Sequence, residues 1–395
     1  MKGDVAQPLR GIRVLAALNS LDLFGHEREN LHVLQTLRDM GAEVLLGLNT
    51  LRKGGDVGRS AREAGFEIIY LPFGNQWSWL WLIQDTIGQM KKPCQLIRSS
   101  LRFYKAIREF RPTHVHLGSS LAYSYLAPAL LAWRGPLIFR IGDSPPVNSK
   151  FNMLIWRSAL RRATRVVAIS DFIRCYVARV GGLALENKTT LLYGTKSGVD
   201  TEDSANRNKI GFVGQIVQHK GVFELLNAFS ELVRSHPATL LEFVGSGAAE
   251  EELKRRVSVA GLASHVRFHG YLEHPHEVVK DWSFQVVPSV WDEALGIVVL
   301  EAKALGKPVV VFPRGGLPEM VRHQIDGYIC REATAEALIE ALKWMMEQGA
   351  HLTEMGVKAL ADVNDRFGTE RFRNGWTAVY TETLSQGDYH EQSNR

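Results

Sequence analysis

Disulfides, membrane spans and internal repeats are what this sequence has least of. Its 395 residues hold only three cysteines, Cys94, Cys175 and Cys330. They lie far apart, without C-x-x-C spacing or an adjoining histidine cluster, which argues for reduced thiols and against a zinc site. No apolar run approaches the roughly 18 residues of a membrane span, and Met1 to Arg13 lacks the apolar core of a signal peptide. The expectation is a cytoplasmic chain. Neither a low-complexity tract nor a repeat with a period of roughly 20 to 50 residues is visible, so solenoids and fibrous folds are excluded. With 45% hydrophobic and 23% charged residues, the composition is that of a globular protein. The length allows two domains, each able to bury its own core.

Charge is unevenly spread. Residues 1–200 carry 27 Lys and Arg against 15 Asp and Glu, whereas residues 201–395 carry 20 against 27. The basic half suits an anionic partner, whether nucleic acid, acidic lipid or a phosphorylated substrate; charge does not choose among them.

Short apolar runs alternate with amphipathic stretches along the chain, the pattern of β-α units feeding parallel sheets. In the first half the expected strands are Arg13–Leu18, Glu43–Leu48, Glu67–Leu71, His114–Leu117, Leu137–Ile141 and Arg165–Ile169, with a helix over Glu27–Met40. A polar stretch over 194–208 reads as a linker. Strands then resume at Lys209–Val213, Leu240–Val244, Val266–His269, Phe284–Val287 and Val309–Val311. Helices are expected over Val222–Arg234, Ala249–Ala260 and Thr334–Glu347. The predicted domains are therefore 1–193 and 209–369, both doubly wound α/β. Two such sheets facing one another would leave a cleft between them, the expected site.

The stretch VVPSVWDEALGIVVLEAKALGKPVVVFPRGGLPEMV, from Val286 to Val321, is the most informative. A strand ends at Val287, and a helix starting near Gly296 runs to Leu305. The amides of Gly296, Ile297 and Val298 would then form an anion site at a helix N-terminus. Glu293 and Glu301 are eight residues apart, near one face of that helix. Carboxylates accept hydrogen bonds from vicinal diols, so diphosphate-binding amides between two of them fit a sugar nucleotide. The plainer reading makes Glu293 a charge that favours the helix dipole and Glu301 a solvated helix residue.

That stretch resembles the signature of glycosyltransferase family 4, retaining enzymes with the GT-B fold of two facing Rossmann-like domains. The Glu-x7-Glu spacing, PSVWDEALG, LEAKALGKPVV and the Gly315-Gly316-x-Pro318-Glu319 turn carry the resemblance. Ala294 and Leu295 stand where Gly and Phe are commoner. IGFVGQIVQHKGVFELLNAF resembles the family's opening of the second domain, where an Arg and a Lys neutralise the donor diphosphate. Lys220 matches the Lys, and Gln215, an amide without the guanidinium fork, stands at the Arg. The resemblance implies that Gln215, Lys220 and the amides at 296–298 hold the diphosphate, Glu301 the ribose and Glu293 the transferred sugar. It implies no metal or other cofactor.

In the first domain, FGHERENLHVLQTLRDMGAEV resembles the family's Gly-rich loop and helix. Gly25 falls on the second glycine and Phe24 replaces the first; Gly25 also reads simply as a turn residue. PTHVHLGSS and FRIGDSPP resemble strands that end in histidine and in His-Asp. They make His116 and Asp143 candidate catalytic residues, with Gly118 and Gly142 where the family carries histidines. His116 reads equally as a core histidine. Ser170, before DFIRCYV, is expected to cap a helix. VGSGAAEE lacks the third glycine of a dinucleotide fingerprint, so no nicotinamide site is expected.

Trp77, Trp79 and Trp81 precede a basic stretch in which residues 91–111 hold seven bases against Glu109. Interfacial aromatics beside a basic amphipathic helix suit an anionic membrane surface. The alternative is that the aromatics pack inside and the bases form a solvated face. Nucleic acid is not expected, since no recognition motif accompanies the charge. DRFGTERFRNGWTAVYTETL resembles the family's last helix, which returns over 370–395 to brace the first domain; the tail Ser385 to Arg395 is expected to be unstructured.

The resemblance thus implies a retaining glycosyltransferase that moves a sugar from a nucleotide-diphosphate donor to a glycan or lipid-linked acceptor in cell-surface polysaccharide synthesis. The rival readings are a nucleotide-sugar epimerase of the same fold and a non-catalytic nucleotide-sugar-binding scaffold.

Overall fold

A computed structural model of the chain describes residues 7–23, 25–74, 86–142, 149–195 and 208–392. The chain divides into two compact units, Met1–Leu192 with Arg373–Arg395, and Tyr193–Phe372. Most of the expected linker, residues 196–207, lies outside the described residues.

Among the described residues the first unit holds seven strands: β1 (Arg13–Ala17), β2 (Glu43–Asn49), β3 (Glu67–Leu71), β4 (His114–Leu117), β5 (Leu137–Ile141), β6 (Arg165–Ala168) and β7 (Thr189–Leu191). All pair in parallel, in the order β3-β2-β1-β4-β5-β6-β7. Six strands, among the described residues, form the second: β8 (Lys209–Val213), β9 (Leu240–Val244), β10 (Val266–Phe268), β11 (Phe284–Val287), β12 (Val309–Val311) and β13 (Gly327–Ile329). Their order is β10-β9-β8-β11-β12-β13, again parallel throughout. Central strands such as β1 and β12 are buried on both faces, as their unbroken apolar runs require in a sheet covered on each side by helices. Strand order reverses beside β1 in one unit and beside β8 in the other. In open α/β sheets ligands bind at such reversals, outside the carboxyl ends of the strands.

Among the described residues no helix is long and apolar enough to cross a membrane. Cys94 and Cys175 are exposed and Cys330 is buried, all as free thiols.

The last helix, Thr369–Gln392, packs into the first unit through Trp376 and Tyr380, both fully buried. It runs past Ser385, where an unstructured tail was expected, because extending an existing helix costs little per residue even without an apolar face. Its partners are the two β4 histidines. Tyr380 Oη lies 2.7 Å from His116 Nδ1, and Thr383 Oγ1 lies 3.1 Å from His114 Nε2. Burial pushes the Tyr380 phenol well above its ordinary range, so the hydroxyl stays protonated in its hydrogen bond with His116 Nδ1. Burial likewise lowers His114 to about 4 and His116 to about 3.

These shifts set an acid limit on the first unit. An unfolded histidine titrates near 6.5, so below that pH the unfolded chain binds protons that the folded one refuses, and stability falls as pH drops towards 4. Urea midpoints of the full chain should therefore decline between these values, and His114→Gln should flatten the decline. An unchanged pH slope in the variant would contradict this.

Candidate functional site

At the reversal in the second unit, the segments after β8 and β11 meet. From Val213 the chain passes Gly214 and the exposed Gln215, then buries Ile216 completely. The Ile216 amide donates to Ser246 O at 3.0 Å and its carbonyl accepts from the Ala249 amide at 2.9 Å, pinning the segment to the loop after β9. A short 3₁₀ turn, Gln218–Lys220, follows. There the His219 carbonyl accepts from the amides of Val290 and Trp291, at 3.1 and 3.3 Å.

Gly221 makes this meeting possible. Its φ is +72°, and a Cβ there would lie 1.7 Å from Pro288 O. Any side chain at 221 would push the two segments apart.

That approach joins Lys220 to Glu293. Lys220 Nζ donates to Glu293 Oε1 at 2.5 Å, Ser289 Oγ donates to the same oxygen at 2.7 Å, and both ion-pair partners are mostly shielded from solvent. A second glycine turn holds Glu293 from behind. Its carbonyl accepts from the Gly316 amide at 2.7 Å, and a Cβ on Gly315 (φ +56°) would lie 2.1 Å from the same oxygen. Glu319, at the end of that turn, accepts from Tyr193 Oη at 3.1 Å, while its carbonyl accepts from Arg366.

The helix Ile297–Ala304 opens at Gly296, directly beyond Glu293, and no side chain caps it among the described residues. Unpaired amides at a helix start attract anions. Half-buried Glu301 lies on the same helix, four residues after Ile297. The segment Gln215–Lys220 and the stretch Glu293–Glu301 therefore assemble a cation, helix-start amides, a primary amide and two carboxylates around one sheet reversal. Such a set can bind an anionic group beside hydroxyls.

Beneath it lies a buried ionic cluster that sequence reasoning missed. Lys303 Nζ, with no exposed surface, donates to Met320 O at 2.7 Å and to Asp362 Oδ2 at 2.5 Å, and stands 3.2 Å from Asp326 Oδ2. Arg366 donates to both oxygens of Asp362, at 2.7 Å each, and Arg322 Nε donates to Asp326 at 2.6 Å. Burial alone would raise the Asp362 carboxyl, but hydrogen bonds from Arg366 and Lys303 hold it below the usual carboxylate range. The cluster ties the helix carrying Glu301 to the segment that follows the Gly315-Gly316 turn.

The first-unit candidates fare differently. Gly25 opens the helix Gly25–Asp39 and is exposed, and Asp143 lies outside the described residues. His116 is corrected. It points into the core against Tyr380 and Trp376, because residues 114 and 116 alternate onto the sheet face that the C-terminal helix covers. The imidazole at the carboxyl ends of β4 and β5 is instead His26. Its Nε2 lies 3.0 Å from Gly118 O, and a Cβ on Gly142 would lie 2.0 Å from its Nδ1. Nothing in the local sequence signals this. Trp77, Trp79 and Trp81 lie outside the described residues.

Comparisons with known proteins agree with this architecture. The family described as Glycosyl transferases group 1 matches residues 199–361, and the Glycosyl transferase 4-like domain matches residues 24–190. A GDP-mannose-dependent alpha-(1-6)-phosphatidylinositol monomannoside mannosyltransferase of Mycolicibacterium smegmatis is 30% identical over 262 residues, covering 58% of this chain and 68% of that protein. A D-inositol 3-phosphate glycosyltransferase of Streptomyces griseus is 33% identical over 187 residues, 44% of this chain and 39% of that one. The chain spans less than half the length of several curated relatives it matches, down to 18% of an exopolysaccharide phosphotransferase of Streptomyces coelicolor. Among solved structures, Anabaena HepE in complex with UDP superposes with a TM-score of 0.78 at 21% identity, covering 95% of this chain and 100% of that chain. The fold is GT-B.

Proposed function

The chain belongs to glycosyltransferase family 4, and from that membership we propose that it is a cytoplasmic, retaining transferase that moves a sugar from a nucleotide-diphosphate donor to a glycan or lipid-linked acceptor in cell-surface polysaccharide synthesis. The observation that carries the reading is the Lys220–Glu293 pair beside the uncapped start of the helix Ile297–Ala304. A sugar diphosphate presents a leaving group that gains negative charge next to a sugar ring that gains positive charge. A lysine and a carboxylate 2.5 Å apart suit those two neighbouring charges.

Lys220, Gln215 and the amides of Gly296, Ile297 and Val298 would hold the diphosphate and stabilise it as the bond to the anomeric carbon breaks. Their positive ends do the work for which other transferases use a metal, so no metal is required. Glu293 would meet the transferred sugar, and Glu301 would accept from the ribose hydroxyls. The UDP bound by HepE and the GDP-mannose dependence of the mycobacterial relative both support a nucleotide-sugar donor. Gln215, exposed where the family carries Arg, favours a second reading, a binder that holds donor without turning it over.

A thermal-shift panel of UDP, GDP and ADP sugars tests the reading. A matching donor at about a hundred times its dissociation constant should stabilise the protein by roughly 2.7 kcal/mol. Glu301→Ala should weaken that donor about tenfold, the worth of one charge-assisted hydrogen bond. If no sugar nucleotide shifts the melting temperature, the reading is wrong; a shift without donor consumption in the presence of candidate acceptors would select the binder.

A further inference from the structure

The helix Thr86–Phe110 of the first unit has its apolar residues on the wrong side for a core helix. Phe103 and Ala106 face inward and are buried, yet Ile97, Leu101 and Tyr104 are 56, 64 and 43% exposed. Spaced i, i+4 and i+7, they form one stripe along the outer surface. The exposed bases Arg98, Lys105 and Arg108 border it.

A second helix repeats the arrangement. On Lys150–Arg162, Trp156 and Leu160 are buried while Phe151 and Leu154 are 38 and 60% exposed, bordered by the exposed Lys150, Arg157 and Arg161. Between the two lies Ser120–Ala132, which carries no charge and exposes Leu131. Ser100 Oγ donates to Tyr125 O at 3.0 Å on one side of this middle helix, and Tyr123 Oη and Ser158 Oγ are 3.0 Å apart on the other.

The three helices form one layer. They connect β3 to β4, β4 to β5 and β5 to β6, all in the same direction across the sheet, so right-handed crossovers set them on one face. Among the described side chains of these three helices the only carboxylate is Glu109, 3.6 Å from Lys105; the next connection on that face, through Asp171–Gly181 and Leu183–Glu186, adds Asp171 and Glu186 against Arg174 and Arg179. The helices Gly25–Asp39 and Gly55–Glu63, whose connections run the other way, carry Arg28, Arg38, Arg59 and Arg62 against Glu27, Glu29, Asp39, Asp56 and Glu63. The net positive charge thus coincides with the outward apolar stripes, whereas the two opposite helices nearly balance their charges.

We propose that this three-helix layer is a docking surface for an anionic lipid bilayer, with Leu101 and Leu154 entering the headgroup boundary and the bordering bases meeting lipid phosphates. An apolar stripe edged by bases is complementary to both parts of such a surface, the acyl boundary and its negative charge. A soluble polyanion would be met by the bases alone and would leave the stripes in water. The proposal goes beyond the transferase reading and stands whether or not the chain transfers sugar.

The test is co-sedimentation of the full chain with phosphatidylcholine vesicles, with and without phosphatidylglycerol. Binding is expected only to the anionic vesicles, weakening as salt rises. The double variant Leu101→Glu, Leu154→Glu should bind at least about tenfold less, since it sets like charge against the lipid and removes both apolar contacts. Both positions are exposed, so its melting temperature and its thermal shift with a sugar nucleotide should match the parent; a failure of the transferase reading would instead appear in that shift. Equal binding to neutral vesicles, full retention in the double variant, or equally tight binding to single-stranded RNA that the variant also loses would overturn the proposal. So would a dimer in the absence of lipid that the same substitutions dissociate.

Discussion

Asp362→Asn is expected to cost roughly 3–5 kcal/mol of stability in the second unit, the usual result of removing one partner from a buried ion cluster. The change preserves shape and removes charge. Lys303, Arg322 and Arg366 would then face the single carboxylate of Asp326, and Lys303 has no exposed surface through which water could compensate it. Denaturant unfolding of the full chain, followed by a probe in the second unit such as the buried Trp282, would measure the loss. Adding Lys303→Met to Asp362→Asn should cost less than the sum of the two single changes, because Lys303 has already lost one of its two carboxylates and contacting residues do not behave additively. A single-variant loss below about 1 kcal/mol would show that the cluster contributes little, as exposed ion pairs do. The same substitution should also weaken donor binding, since Lys303 anchors the helix that carries Glu301 and Arg366 holds the Glu319 carbonyl.

The second large effect concerns turnover. Lys220→Ala should lower kcat/KM for the nucleotide sugar by about tenfold to a hundredfold or more, the range for a charge-assisted hydrogen bond worth roughly 1.5–3 kcal/mol. Melting temperature should change little, because Lys220 is partly exposed and sits in a turn. Glu293→Gln should be non-additive with it: each change removes the ion pair, so the double variant should be slower than either single one by less than the product of their effects. Steady-state kinetics within twofold of the parent for Lys220→Ala would remove this lysine from the mechanism.

Much of this architecture was legible because it is written locally. Strands such as β12, and β1 after its opening Arg13, are unbroken apolar runs, and the helix Val222–Ser235 repeats its apolar face every three or four residues. The stretch around Glu293 and Glu301 lies within one βαβ unit and the glycine pair at 315–316 just after it, so their spacing survives folding as proximity. Strands β7 (TTL) and β13 (GYI) went unread because, unlike the equally short β12, neither is an apolar run and three residues give no period to replace one. The helix Ser120–Ala132 was missed for the opposite reason: it is apolar nearly all round and contains Pro128, so it shows neither amphipathic period nor a clean stop.

What the sequence could not reveal depended on partners far along the chain. His116 looks like a strand-end ligand until Tyr380, 264 residues later, takes its Nδ1. Lys303, Asp326 and Asp362 read as ordinary surface charges, because each is polar within its own segment and only the fold brings them together. Ile97, Leu101 and Tyr104 have the spacing of a buried face, and only the packing of Phe103 against the sheet layer turns them outward.

The sequence by itself determined the two parallel α/β units, the family and the segment that bears Lys220, Glu293 and Glu301, since periodicity and short-range spacing are properties of the local chain. Tertiary structure alone decided which charges are buried, which histidine stands at the strand ends and which apolar face meets solvent. Desolvation and pairing depend on what lies within a few ångströms in space, and most of those neighbours are distant in sequence.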